Sequence, residues 1–157
     1  MQDPADREAL RQLAYDYARC VDRCDADGLL RLFTADGLVG ASDTSVPAFA
    51  GEAGLRRMIA QVGEAFVKTM HNVFNHTFES IDGDTARGET TCLASHILDD
   101  GAGGWRVLDM ALRYANTYAR EDGGWRFRAR RLTVEWTETR AVDKFDPRGL
   151  AAREAEA

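Results

Sequence analysis

The sequence predicts an α+β fold, with three N-terminal helices packed on a highly curved, mainly antiparallel sheet that forms a half-barrel with an internal pocket. Apolar residues recur at intervals of three and four in the first part of the chain, and after residue 67 the hydrophobic period changes to two. Turns rich in aspartate and glycine then separate long alternating segments, as in a series of hairpins. This order of elements is typical of a helix layer on one sheet face.

The first helix is predicted over residues 5–24. Leu10, Leu13, Tyr17 and Val21 recur every three or four positions, so they share one helix face that is expected to pack on the sheet. The other N-terminal elements follow in order: a helix over 26–33, a turn over 34–37, a short strand over 38–41, a loop over 42–50 and a third helix over 51–67.

Four long strands are predicted next, over residues 70–81, 85–98, 105–120 and 124–138. Strands of about 14 residues exceed the usual length of about five or six, so the sheet must twist and curl. A curled sheet with helices across its open side encloses a cavity, and a ligand would bind there.

Composition limits the function classes. At 157 residues, the chain fits one domain over 1–145 with a polar C-terminal tail over 146–157. Its formal net charge of −6 argues against nucleic acid or an anionic membrane surface as the main partner. No apolar stretch approaches the roughly 20 residues of a membrane span, and the acidic N-terminus is unlike a signal peptide, so a cytoplasmic protein is expected. Cys20, Cys24 and Cys92 are expected to be buried thiols.

Asp22 and His71 are the first candidates for chemistry. Asp22 lies beside the apolar face of the first helix, and His71 begins the first long strand. A histidine that is hydrogen-bonded to a buried aspartate is held in one tautomer, and its outer nitrogen is free to accept a proton as a general base. Spacing alone leaves an alternative open, in which Asp22 is solvated or caps the helix and His71 packs in the core.

Further residues are candidates for the pocket wall, although core packing is the alternative for each aromatic residue. Tyr15 lies seven residues before Asp22 and therefore shares its helix face. His76 lies five residues after His71, so on a regular strand it points to the opposite sheet face, and a bulge would reverse this. The predicted substrate contacts are Tyr15, Tyr17, Phe33, Val73, His96, Met110, Arg131 and Trp136.

Three arginines alternate along the last strand. Arg126, Arg128 and Arg130 are predicted to form a polar face with acidic partners, and one of them, or Arg131, is an alternative contact for an anionic substrate group. The three histidines show no metal-ligand spacing, and no glycine-rich nucleotide or phosphate loop occurs, so neither a metal nor a cofactor is expected. Acid–base chemistry is then the expected reaction type.

The order of short motifs resembles that of SnoaL-like proteins in the nuclear-transport-factor-2-like superfamily over residues 8–138. No single motif is specific, and the resemblance depends on their order and spacing. The matching pieces are 17–22, Asp25, 32–37, Gly51, His71, Asn75, 82–86, 113–114, 124–127, 130–131 and Trp136.

The resemblance implies a cone-shaped half-barrel with a deep pocket, as in scytalone dehydratase, hexachlorocyclohexane dehydrochlorinase and polyketide cyclases. In the dehydrochlorinase-like branch an Asp–His dyad is the base, and its positions match Asp22 and His71. In scytalone dehydratase-like enzymes two histidines flank the substrate, which makes His76 or His96 a candidate for the second. Relatives often carry an acid where Asn116 stands, so the role of that acid is not carried over to this chain.

Together these features predict a cofactor-independent lyase or isomerase of the dehydratase or elimination type, acting on a small apolar cyclic or aromatic molecule. The alternatives are a non-catalytic module that binds small molecules or assists assembly, and the small subunit of a ring-hydroxylating dioxygenase. The exposed face of a curved sheet usually packs against a copy, so a homodimer or homotrimer is expected.

Overall fold

The computed structural model describes residues 4–144, so the predicted tail over 146–157 lies outside the described residues. Within this part of the chain the helices are α1 (Pro4–Asp22), α2 (Ala26–Leu30) and α3 (Gly51–Ala65). All three lie where the hydrophobic periodicity predicts them. The second ends earlier than predicted because Phe33 already begins the first strand. Asp25 caps α2 by accepting a hydrogen bond from the Gly28 backbone N–H at 2.8 Å.

The strands of the described residues form one sheet. They are β1 (Phe33–Ala41), β2 (Phe49–Ala50), β3 (Lys68–Asp82), β4 (Thr85–Asp99), β5 (Trp105–Glu121) and β6 (Gly124–Val142). The order across the sheet is β2-β1-β6-β5-β4-β3; β1 and β6 pair in parallel, and the other neighbours pair antiparallel. The sheet is curved and open, with the helices packed on it, which confirms the predicted α+β class.

Two of the predicted connections are corrected. Residues 34–37, predicted as a turn, are part of β1. In this stretch the pairing of β1 with β6 changes register, between Phe33 and Leu38. An irregularity of this kind accommodates turn-forming residues inside a strand, which explains the mistaken prediction. The last two residues of the loop predicted over 42–50 form β2 and pair with β1.

The main core lies between α1 and the sheet. The Tyr17 ring contacts the rings of Phe33 and Phe127, with centroids 6.2 Å apart in both cases. Leu10, on the same face of α1, is completely buried. Burial of one such side chain contributes about 1.5–3 kcal/mol. This packing fixes α1 on the sheet and places its last residue, Asp22, beside β3.

A bulge in β3 determines where His76 points. The pairing of β3 with β4 shifts between Val73 and His76, and β3 contains one more residue than β4 in this interval. His76 therefore returns to the helix-facing side of the sheet, which His71 also occupies, as the bulge alternative requires. His76 Nε2 lies 3.0 Å from the hydroxyl oxygen of Tyr118, a core residue.

The three cysteines differ in exposure. All are free thiols; Cys20 and Cys92 are buried as predicted, whereas Cys24 is exposed. Cys24 follows the end of α1 and has a φ of 51°, so the backbone leaves the helical path before this residue. The prediction that Cys24 is a buried thiol is therefore wrong.

Candidate active site

Asp22 and His71 form a hydrogen-bonded pair where α1 packs against β3. Asp22 Oδ1 lies 2.7 Å from His71 Nδ1, and Asp22 Oδ2 accepts a hydrogen bond from the His71 backbone N–H at 2.9 Å. The Thr69 hydroxyl donates to Asp22 Oδ1 at 2.8 Å. The carboxylate is thus oriented by two residues of β3, and it in turn orients the imidazole.

The surroundings keep Asp22 ionised. Partial burial raises the pKa of Asp22, but hydrogen bonds from the His71 ring, the His71 backbone and the Thr69 hydroxyl outweigh this effect, so the pKa lies below its ordinary value. An ionised carboxylate can only accept, so it favours the tautomer with the proton on His71 Nδ1 and leaves Nε2 as the acceptor. The side chain of His71 is only 7% exposed, and that of Asp22 is 22% exposed.

His71 borders a cavity of about 280 Å³ between the helices and the sheet. The polar side chains in its wall are two histidines and two tyrosines, namely Tyr17, His71, His96 and Tyr114. The rest of the wall is apolar and includes Val21, Val39, Met58, Val62, Met110, Leu112 and Leu132. A mainly apolar cavity with a few converging polar groups is typical of a site for a small organic molecule.

His96 is the second histidine of the cavity. Its ring centroid lies 5.6 Å from that of His71, with the two rings nearly perpendicular at 80°, and it packs on Phe66 at 4.5 Å. Its Nδ1 is 3.4 Å from the carbonyl oxygen of Leu108. Burial and the neighbouring His71 lower the pKa of His96. The neutral form of His96 is therefore favoured, and it can donate a hydrogen bond through one nitrogen and accept one through the other.

Arg130 is a buried cation directly beneath the cavity floor, and this corrects the prediction of an exposed arginine face. Its side chain is 1% exposed, and its guanidinium carbon lies 4.2 Å from the ring centroids of Tyr17 and Tyr114, both of which line the cavity. The pairing of β5 with β6 shifts between Thr117 and Tyr118, so Arg130 shares the inner face while Arg126 and Arg128 remain partly or fully accessible.

The guanidinium of Arg130 is incompletely paired. Its Nε and Nη1 are buried without a hydrogen-bond partner, and no carboxylate within residues 4–144 forms an ion pair with it. Contact with aromatic faces offsets part of the cost of burying the charge. The remaining positive potential acts on the cavity across the two tyrosine rings, because the mainly apolar wall screens charge less than bulk water does.

Three of the eight predicted substrate contacts line the cavity, namely Tyr17, His96 and Met110. Tyr15 and Val73 instead border a shallow pocket on the outer side of the Asp22–His71 pair. Phe33 belongs to the core. Arg131 donates from Nη1 to the Ala41 carbonyl oxygen at 3.2 Å and does not border the cavity.

Trp136 lies outside the cavity, and its position is corrected. It is 67% exposed and borders a groove on the outer face of the sheet, which is the face turned away from the helices. The pairing of β5 with β6 shifts again between Ala111 and Leu112, so that Trp136 pairs with Ala111. Because of this second bulge, Trp136 lies on the opposite side of the sheet from Leu132 and Arg130, and it therefore cannot contact a ligand in the cavity.

Two parts of the site were not placed correctly from the sequence. Arg130 was predicted in a polar face with acidic partners, with contact to an anionic substrate group as the alternative. The loop predicted over 42–50 was given no role, although its residues Val46, Pro47 and Phe49 line the cavity. The only signal in the sequence for the second was the run of five apolar residues over 46–50, at the end of a loop that begins with four polar residues.

Within residues 4–144, no three histidine, cysteine, aspartate or glutamate side chains are grouped so that they could hold a metal ion. The same stretch contains no helix with the length and apolar character needed to span a membrane.

A sequence profile of the SnoaL-like domain matches residues 2–131. The chain belongs to the SnoaL-like family. Solved structures similar to this SnoaL-like chain include a hexachlorocyclohexane dehydrochlorinase (LinA) of type 2, with 23% identity, 92% of this chain and 95% of that chain covered, and a TM-score of 0.79. The type 3 dehydrochlorinase from Novosphingobium barchaimii is 22% identical, with coverages of 91% and 95% and a TM-score of 0.77.

A candidate scytalone dehydratase from Novosphingobium aromaticivorans also has the fold of this SnoaL-like chain. It is 22% identical, with coverages of 92% and 94% and a TM-score of 0.72. At this level of identity the likeness demonstrates a shared fold. No curated protein is similar enough to the chain to count as a match.

Proposed function

We propose that this SnoaL-like protein is a lyase or isomerase in which His71, oriented by Asp22, removes a proton from a carbon atom of a small, largely apolar cyclic or aromatic molecule. The observation that supports this function is the 2.7 Å contact between Asp22 Oδ1 and His71 Nδ1 at the wall of an apolar cavity. A base that is held in one tautomer and turned toward a water-poor cavity has the geometry that proton abstraction requires.

The proposed reaction needs only the base and the substrate. His71 Nε2 takes the proton, and the electron pair of the broken C–H bond forms a carbon–carbon double bond as a leaving group departs from the neighbouring carbon. In an isomerisation the pair shifts along the substrate, and the proton returns at another carbon. Asp22 stabilises the imidazolium cation that forms on His71. General base catalysis of this kind contributes about 10²- to 10⁴-fold to the rate.

Two further groups support this chemistry. Arg130 places a positive charge beneath the cavity floor, where it would stabilise negative charge that develops on the substrate. We assign to His96, whose ring lies 5.6 Å from that of His71, a hydrogen bond that its Nε2 accepts from a hydroxyl or N–H group of the substrate. Because His96 is neutral and its Nδ1 faces the Leu108 carbonyl oxygen at 3.4 Å, its Nε2 is an acceptor and the ring adds no second positive charge near the base.

The substrate class follows from the cavity. A volume of about 280 Å³ suits one small ring compound, and the apolar wall favours a neutral molecule. The two similar dehydrochlorinases act, by name, on hexachlorocyclohexane, which is a molecule of this class. Their names also denote eliminations, which need the same kind of base.

Asp22→Asn tests the proposal with little change of shape. The amide can no longer accept from His71 Nδ1, His71 N–H and Thr69 together, so the imidazole is no longer held with Nε2 as the acceptor. Turnover is expected to fall by about 10³- to 10⁴-fold. His71→Ala should cause a comparable loss. The substrates are neutral cyclic compounds with a leaving group beside an acidic C–H, and release of the leaving group is measured.

Asp16→Asn is the matched control. Asp16 lies on the same helix and contacts Arg19 at the surface, outside the cavity wall. This variant should retain the parent rate. An Asp22→Asn protein that folds normally and keeps its turnover within about threefold of the parent would contradict the proposed base.

We also propose that the protein associates with itself through the outer face of the sheet. Phe74 and Trp136 are 57% and 67% exposed there and border a groove together with Leu93. Exposed aromatic residues beside a groove are typical of an interface. A homodimer or homotrimer formed in this way leaves the cavity, on the other side of the sheet, accessible.

A further inference from the structure

The segment over residues 42–48, here called the mouth segment, forms one side of the cavity opening. Val46 and Pro47 line the cavity, yet Val46 is also 51% exposed to solvent. A side chain can face both an internal cavity and bulk water only at an opening. The mouth segment therefore separates the cavity from solvent at this point.

The mouth segment is anchored at its two ends and only weakly held between them. The Ser42 backbone N–H donates to the Leu132 carbonyl oxygen at 2.8 Å, and β2 pairs with β1 immediately after the segment. The hydrogen bonds of its central part are local. The Ser45 backbone N–H donates to Asp43 Oδ1 at 2.9 Å, and the Val46 backbone N–H donates to the Asp43 carbonyl oxygen at 3.3 Å. A segment with few hydrogen bonds to the body of a protein opens at low free-energy cost.

The C-terminal end of the mouth segment packs closely against a glycine. A Cβ atom at Gly40, which lines the cavity, would lie 2.8 Å from Ala48 Cβ and 3.2 Å from Ala48 Cα. Real Cβ atoms do not approach so closely, so the closed position of Ala48 depends on the missing side chain at position 40. Adding one methyl group there would displace the mouth segment from β1.

We propose that the mouth segment is the gate through which ligands reach the cavity, and that Val46 and Pro47 set the size of the molecules that pass. The proposal concerns access alone and does not rest on the Asp22–His71 chemistry. A competing route exists, because the shallow pocket beside Asp22 and Tyr15 reaches His71 from the other side. The two routes predict different effects of changes at Val46.

A cysteine inside the cavity measures access without a known ligand. Met110, a cavity residue, is changed to cysteine in a Cys24→Ser background, which removes the exposed thiol. Its alkylation by iodoacetamide, which is small, and by N-phenylmaleimide, which is larger, is followed by mass spectrometry. The Cys24→Ser protein without the Met110 change gives the background from Cys20 and Cys92.

Val46→Ala should raise both alkylation rates at position 110, by about fivefold or more for the larger reagent. Val46→Trp should lower them, again with the larger effect on N-phenylmaleimide, so the ratio of the two rates reports the size of the opening. Gly40→Ala should act in the direction of Val46→Ala. Val67→Ala and Val67→Trp are matched controls, because Val67 is 47% exposed and lies outside the cavity wall.

The proposal is overturned if both Val46 variants alkylate at position 110 within about twofold of the parent, since ligands would then enter elsewhere. It is also overturned if Val46→Ala accelerates the alkylation of Cys20 and Cys92 as much as the alkylation at position 110, because that result indicates general loosening of the fold. Val46 is exposed, so its variants are expected to fold even if Gly40→Ala does not.

Discussion

The stability of this protein below pH 6.5 should depend on His76. Burial lowers the pKa of His76 from 6.5 to about 4, and the positive charges of Arg130, Arg11 and Arg7 act in the same direction. In the unfolded chain the pKa returns to about 6.5. Between these values the unfolded state binds a proton that the folded state does not. The contribution of neutral His76 to stability is therefore present above pH 6.5 and is lost as the pH falls toward 4.

The magnitude follows from the size of the shift. One unit of pKa corresponds to about 1.4 kcal/mol, so a pKa of about 4 sets an upper limit of about 3 kcal/mol. Because the His76 ring is only partly buried, solvent screening reduces this limit, and we expect about 1 kcal/mol between pH 7 and pH 4.5. For a domain of this size, this difference lowers the Tm by roughly 2–4 °C.

The assay compares the parent with His76→Gln in urea unfolding at pH 7, about 5.5 and about 4.5. The parent should lose about 1 kcal/mol more than the variant over this range. His96, whose pKa is also lowered, contributes equally to both proteins. Asp22, with its pKa below 3.8, loses its contribution only at lower pH. If the two stabilities fall in parallel, within about 0.3 kcal/mol, His76 is not held neutral in the fold and the reasoning is refuted.

Arg130→Met should leave the Tm unchanged or raise it, because an unpaired buried cation is replaced by an apolar side chain. The same change should lower turnover by about tenfold or more. Thermal unfolding and activity are measured on the same protein. In the native protein only Cys24 should react with a disulfide-exchange reagent, since Cys20 and Cys92 are buried and burial raises the pKa of Cys92 to about 11; mass spectrometry counts the labelled thiols before and after denaturation. Trp136→Glu should convert the oligomer to monomers in sedimentation experiments, and a monomeric parent would contradict association through the outer face.

The order of helices and strands could be predicted because it depends on local periodicity. The apolar face of α1 and the aspartate–glycine turns each carry their signal within a few residues of sequence. The pairing of Asp22 with His71 depends on a contact across 49 positions, and spacing alone left it open. The family resemblance supplied it, since periodicity carries no information about which helix residue meets which strand residue.

Strand bulges explain most of the errors at the site. Alternation assigns each residue of a strand to one of two faces, and one inserted residue inverts every assignment after it. Bulges of this kind bring His76 to the helix-facing side, bury Arg130 and leave Trp136 on the outer face. The sequence does not mark these bulges with a distinctive residue such as glycine at positive φ, because the positive-φ glycines shown lie outside them.

The placement of two opposite charges matches the charge separation that the proposed reaction requires. Proton removal leaves negative charge on the substrate and makes His71 positive, in a cavity whose mainly apolar wall screens charge less than bulk water does. Arg130 beneath the floor favours the substrate anion, but on its own it would oppose a cation on His71. Asp22, hydrogen-bonded to His71, offsets that repulsion at the base itself. Neutralising either charge alone should therefore slow the reaction. The decrease in rate should be larger for Asp22 than for Arg130, because removing the Asp22 carboxylate also removes the control of the His71 tautomer.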